Sequence, residues 1–216
     1  GALSAAVIAV ACFAAAPVLA AADTSAALIV AVPEMPRETD PQLAVRDVDL
    51  AAATELFMGL VTRDAQGKLI PGMAERWEVS SDQLTYTFTL RRGLQWSDGA
   101  PLDAEDFVAG FRHALAPSPA APFAGSLAPI QGAEETLAGA PRASLGVAAP
   151  DSRTVRITLK HPVATFLATL ALPVAMPMPH RRGERTFARE SQASNGPFMA
   201  QSTEAGFTLV KNPHFF

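Results

Sequence analysis

Apolar and polar residues change period several times along this chain, and each change predicts an element. Residues 84–90 alternate, with Leu84, Tyr86, Phe88 and Leu90 on one face and Thr85, Thr87 and Thr89 on the other. That period of two predicts a strand with one buried and one wetter side. Residues 154–160 repeat it, with Val155, Ile157 and Leu159 inward. A helical stripe of Leu56, Phe57 and Leu60 predicts a helix over 50–60, and a second stripe of Phe107, Val108, Phe111 and Leu115 predicts another. Asp103 is placed to cap that second helix, with Asp106 three residues on in a capping-box arrangement, and Pro117 stops it. Residues 61–70 read as a hairpin turning at Asp64, Ala65, Gln66 and Gly67. A weaker helix is expected over 132–138 and a short apolar one over 162–172, followed by a rigid crossing at Pro173, Pro177 and Pro179. Short buried strands are expected at 28–32 and from 207 to 210, with a basic, exposed stretch at 181–189. Pro33, Pro36 and Pro41 bar a helix between the first of these strands and residue 42.

Residues 1–22 form an apolar run broken by Pro17 and followed by small residues, the pattern of the later part of a secretory signal peptide. Val18, Leu19 and Ala20 occupy the positions a signal peptidase reads. A retained membrane anchor and lipidation at Cys12, the single cysteine, are the alternatives. The 17 Lys+Arg against 21 Asp+Glu give a formal net charge of -4, which argues against nucleic-acid binding. Mean hydropathy is +0.19, raised by the N-terminal run. His113, His161, His180 and His214 are scattered in sequence and suggest no metal site. No GxGxxG, phosphate-binding loop or GxSxG motif supports catalysis. The element order predicts a mixed α/β domain.

Longer strings go further. Residues 71–79 (PGMAERWEV), 84–91 (LTYTFTLR) and 93–107 (GLQWSDGAPLDAEDF) run in one order. Thr39-Asp40-Pro41, residues 56–60 (LFMGL), Leu145-Gly146-Val147, residues 194–198 (SNGPF) and Lys211-Asn212-Pro213 flank them. Together they resemble the extracytoplasmic solute-binding proteins of oligopeptide, dipeptide and nickel importers over roughly residues 27–216. Residues 117–127 (PSPAAPFAGSL) resemble the oligopeptide branch.

That resemblance implies the two-lobed periplasmic binding-protein fold of the large, peptide-binding class II type, of which this chain would be an N-terminal part. It implies a signal peptide at 1–22, first-lobe pieces at 23–57 and 180–216, and an inserted small domain at 58–179. It implies a peptide ligand, a membrane permease of an ABC importer as partner, a periplasmic monomer, and neither cofactor, metal nor catalytic residue. The cleft residues it points to are Val45, Arg46 and Asp47, whose backbone would pair with an extended peptide, and Phe123, which stands where the family has a cleft-lining tyrosine. The family carries an acid where Val45 falls and an apolar residue where Asp47 falls. Another solute (a dipeptide, nickel chelate, haem or opine), an exported enzyme and a non-functional remnant of a broken gene are the competing readings. N-terminal sequencing of exported material is expected to begin near Ala21; a lipidated Cys12 at the terminus would overturn that.

Overall fold

A computed structural model describes residues 34–140, 145–180, 193–203 and 206–216. The chain divides into two units, Gly1–Ala31 and Val32–Phe216. The expected signal segment, the strand at 28–32 and the basic stretch at 181–189 lie outside the described residues.

The alternating segments pair with each other. Strands β3 (Ala74–Val79), β4 (Thr85–Leu90), β5 (Val147–Asp151) and β6 (Thr154–Thr158) form one antiparallel sheet in the order β3-β4-β6-β5. Their register sets Phe88 beside Val155 and Tyr86 beside Ile157, so the apolar sets of the two central strands share one face. Helix α2 (Ala104–Ala114) packs on β5 and β6. Its Phe107, Val108 and Phe111 join Trp96, Phe88 and Ile157 in the core. Asp103 caps α2 as expected: its carboxylate accepts from the Glu105 N–H, and Asp106 reaches back to the Asp103 N–H at 2.9 Å. Tyr86 meets Phe166 of the short helix α4 (Phe166–Thr169) at 5.1 Å between ring centres.

The hairpin is β1 (Val61–Arg63) and β2 (Leu69–Pro71), turning at Gly67 with φ 77°. Helix α3 (Ala133–Leu137) and a second hairpin of β7 (Phe198–Thr203) and β8 (Gly206–Lys211) complete the elements. No helix among the described residues is long and apolar enough to cross a membrane.

Helix α1 runs over Asp47–Leu56, earlier than the 50–60 expected. Its buried stripe is Asp49, Ala52, Ala53 and Leu56, while Phe57 and Leu60 are buried from an extended segment. Two long-range contacts hold that segment open. Asn195 donates to the Met58 carbonyl at 2.8 Å and accepts from its N–H at 3.2 Å. Gly59 lies so close to Leu170 that a Cβ would fall 2.6 Å from the Leu170 carbonyl oxygen. The helix expected over 162–172 shortens to α4, and β3, β5 and β7 arise where no strand is read from the sequence.

Phe88 is fully buried, whereas Trp77, paired with it across β3 and β4 at 6.4 Å, is only half-buried on an edge strand. Phe88→Ala is therefore expected to cost about 3–5 kcal/mol in a urea melt. Trp77→Ala should cost less, about 1–3 kcal/mol, because less of its area leaves water on folding.

Candidate ligand-binding site

Residues 34–49 lack regular structure until α1 begins, and side chains set their path. The Glu38 carboxylate accepts from the N–H groups of Thr39 and Asp40. Asp40 accepts from the Gln42 N–H at 2.9 Å, a local turn, and its other oxygen meets His113 of α2 at 2.7 Å. Buried Gln42 donates through Nε2 to the carbonyls of Gly110 and Met176, both at 2.9 Å. Gly110 is required there, since a Cβ would sit 2.3 Å from the Met176 oxygen. These contacts fix the turn against α2.

Arg46 fixes the remainder. Its guanidinium grips Asp49 with two parallel hydrogen bonds, Nε to Oδ2 at 2.8 Å and Nη2 to Oδ1 at 2.7 Å, the geometry in which arginine binds carboxylate best. Nη1 lies 2.6 Å from Glu34, and Nη2 also donates to the Met35 carbonyl. Asp49 accepts in addition from the N–H groups of Arg37 and Glu38. Burial works to raise the Asp49 carboxyl, but the Arg46 and backbone hydrogen bonds outweigh it and hold it below its ordinary value. The same hydrogen bond to Asp49 raises Arg46. One ion pair thus closes the loop between residues 34–38 and 46–49.

The clamp leaves a short backbone edge facing out. Arg46 itself is extended, with φ -75° and ψ 148°. Val45 is 54% exposed and Asp47 is exposed at the first position of α1. Among the described residues no hydrogen bond engages the main-chain N–H groups of Val45, Arg46 or Asp47, whereas the Arg46 carbonyl starts the helix by accepting from Leu50. Phe123 lies elsewhere, preceding a 3-10 turn at Ala124–Leu127, 44% exposed as a residue and with its carbonyl accepting from Ser126. Among the described residues no hydrogen bond or ring contact joins it to residues 45–47. Of the expected site residues, then, Val45, Asp47 and Phe123 present themselves to solvent, while the Arg46 side chain turns inward. Its spacing to Asp49, three residues on at a helix start, is the sequence signal for that role.

Asp103, Asp106 and His180 bring three ligand-capable atoms within 4.8 Å of one another. Asp106 is already committed, since its two oxygens accept from Asp103 N, Trp96 Nε1, His180 N and His180 Nδ1. The cluster therefore serves as a structural tie. A surface depression of about 280 Å³ lined by Leu90, Arg91, Pro101 and Arg153 shares no residue with the candidate site.

Comparison with known proteins places this geometry. The fold superposes on the Escherichia coli murein tripeptide binding protein MppA, with a TM-score of 0.78 and 30% identity, covering 85% of this chain and 38% of that one. It superposes equally on Haemophilus influenzae OppA solved in complex with the peptide RPPGFSPFR, with a TM-score of 0.79, 31% identity, and coverage of 84% and 37%. The class is thus that of the periplasmic binding proteins, and the chain carries a part of their mixed α/β fold. The profile of the bacterial extracellular solute-binding proteins, family 5 Middle, matches residues 68–216, and the chain belongs to that family. It is 41% identical over 189 residues to the probable deoxycholate-binding periplasmic protein YgiS of Escherichia coli, covering 83% of this chain and 35% of that protein. It is 34% identical over 191 residues to the oligopeptide-binding protein OppA of Bacillus subtilis, with coverage of 84% and 35%. The chain spans about a third of the length of these curated relatives.

The Asp49 clamp has a pH signature. A carboxyl made more acidic by folding binds protons less readily in the native state. Its contribution to stability is complete above the ordinary value of 3.8 and disappears as pH falls through the lower folded-state value. Thermal melts below pH 3.8 are expected to show a loss of stability that Asp49→Asn makes shallower, with the variant less stable than the parent at neutral pH.

Proposed function

We propose that this chain contributes one wall of the ligand cleft in a periplasmic solute-binding protein that captures peptides and delivers them to the permease of an ABC importer. The observation that carries this reading is the backbone edge at Val45–Asp47, whose main-chain N–H groups have no hydrogen-bond partner among the described residues, in a loop locked by Arg46 and Asp49. An extended peptide offers carbonyl groups to such an edge whatever its side chains, so recognition through main chain tolerates varied sequences. Locking the edge in advance lowers the ordering cost of binding. Phe123 supplies an exposed ring for a ligand side chain. The reading assigns residues 23–57 and 180–216 to the first lobe and 58–179 to the inserted domain, in a protein that works as a monomer and needs no cofactor.

The 41% identity to a probable deoxycholate-binding protein favours a second reading, a steroid-like ligand resting on apolar surface. Met35 and Val45 offer such surface, at 40% and 54% exposure. A steroid presents no row of carbonyls to pair with the free N–H groups, which is why the peptide reading stands first. Mass spectrometry of the ligand that copurifies with the intact gene product separates the two: a peptide supports the first reading and a bile acid overturns it.

Residues 21–216 alone are expected to bind tri- to pentapeptides more weakly than micromolar by calorimetry. One wall supplies only a few main-chain hydrogen bonds, each contributing about 0.5–1.5 kcal/mol net, against a comparable cost of fixing the peptide. Micromolar or tighter binding would place the site elsewhere.

A further inference from the structure

Resting on the peptide reading above, we infer that Asp47 makes the edge selective, favouring a ligand that carries a cationic side chain beside residues 45–47. The inference comes from the charges of residues 34–49 taken one by one. The segment holds five acids, Glu34, Glu38, Asp40, Asp47 and Asp49, and two arginines, Arg37 and Arg46. Four of the acids are engaged. Glu34 meets Arg46 at 2.6 Å and Arg37 at 3.9 Å. Glu38 holds the N–H groups of Thr39 and Asp40, Asp40 meets His113, and Asp49 holds Arg46 together with two backbone N–H groups. The Asp47 carboxylate, by contrast, is exposed and has no hydrogen bond or ion pair among the described residues.

Arg46, adjacent in sequence, is the group best placed to neutralise Asp47. Its guanidinium is instead drawn back to Asp49 and Glu34, and a bidentate pair of that kind is not readily given up. The clamp that exposes the backbone edge therefore also leaves one uncompensated negative charge on it. An ion pair formed there inside a closed cleft, away from bulk water, is stronger than its counterpart on an open surface. The carboxylate of a bile acid would meet repulsion at the same place.

The test is calorimetry on the intact gene product with Ala-Ala-Ala, with its three single-lysine and three single-glutamate variants, and with deoxycholate. At one of the three positions lysine is expected to tighten binding about three- to tenfold over alanine, and glutamate to weaken it. Asp47→Asn should reduce the preference for that lysine peptide over Ala-Ala-Ala to within about twofold, both measured on the variant, and Asp47→Lys should reverse the order. Asp47 also sits at a helix start, where an acid stabilises the helix. That effect acts on all ligands alike and cannot alter a difference between two peptides. Tripeptides that bind with no charge order, or a lysine preference that survives Asp47→Asn, overturn this inference and leave the peptide reading intact. Deoxycholate binding without any tripeptide binding overturns both.

Discussion

The buried carboxylate of Asp106 is the point on which the described fold turns. It is 2% exposed and accepts four hydrogen bonds. The Asp103 N–H binds the start of α2 to the loop before it, the Trp96 indole anchors the turn at Ser97–Gly99, and two groups of His180 hold the far end of the proline-rich crossing. A buried carboxylate without such partners would be strongly destabilising; with them, the start of α2, the Trp96 turn ten residues before Asp106 and His180 74 residues after it meet at one carboxylate. The capping box is therefore also a tertiary contact. The Trp96 side chain, fully buried, needs a partner for its N–H, and Asp106 is that partner.

Buried polar side chains repeat this logic elsewhere. Asn195 closes the end of α1 through Met58, Asn212 holds the Gly196 carbonyl, and Ser194 and Ser97 exchange hydrogen bonds across the turn. Gln42 spans the carbonyls of Gly110 and Met176. The apolar core alone could accept several arrangements of similar volume. These directional contacts select one, because each leaves an unsatisfied buried group if the chain shifts. Gln42 ties the segment at residues 34–49 to α2 in this way, and the Arg46–Asp49 pair fixes the edge at Val45–Asp47.

On the proposed peptide-binding reading, this fixed geometry bears on how such a wall would recognise varied ligands. Backbone groups supply contacts common to all peptides, and a preset loop spares the entropy of ordering them. Side chains then adjust preference without altering the common grip. Arg46, directed inward, belongs to the scaffold, while Val45, Asp47 and Phe123 are exposed; on the proposed reading theirs are the side chains that would meet a ligand.

The sequence by itself determined those elements whose cause is local. The alternation of residues 84–90 and 154–160, the hairpin at Gly67 and the capped helix after Asp103 follow from neighbours within a few residues, and the family membership from strings whose order needs no folded contact. Strand β3 escaped such reading because it lies on a sheet edge, where Glu75, Arg76 and Glu78 break the alternation; β5 and β7 show no clear period either. The start of α1 and the opening of residues 57–60 were decided only by tertiary structure, and the inward turn of Arg46, favoured locally by Asp49, is completed there by Glu34. Asn195 meets Met58 across 137 residues, Gly59 abuts Leu170, and Glu34 reaches Arg46 across a folded loop. A local pattern reports which face of an element is apolar. Which backbone groups are already satisfied, and hence which remain open to a ligand, depends on partners that only the folded chain brings near.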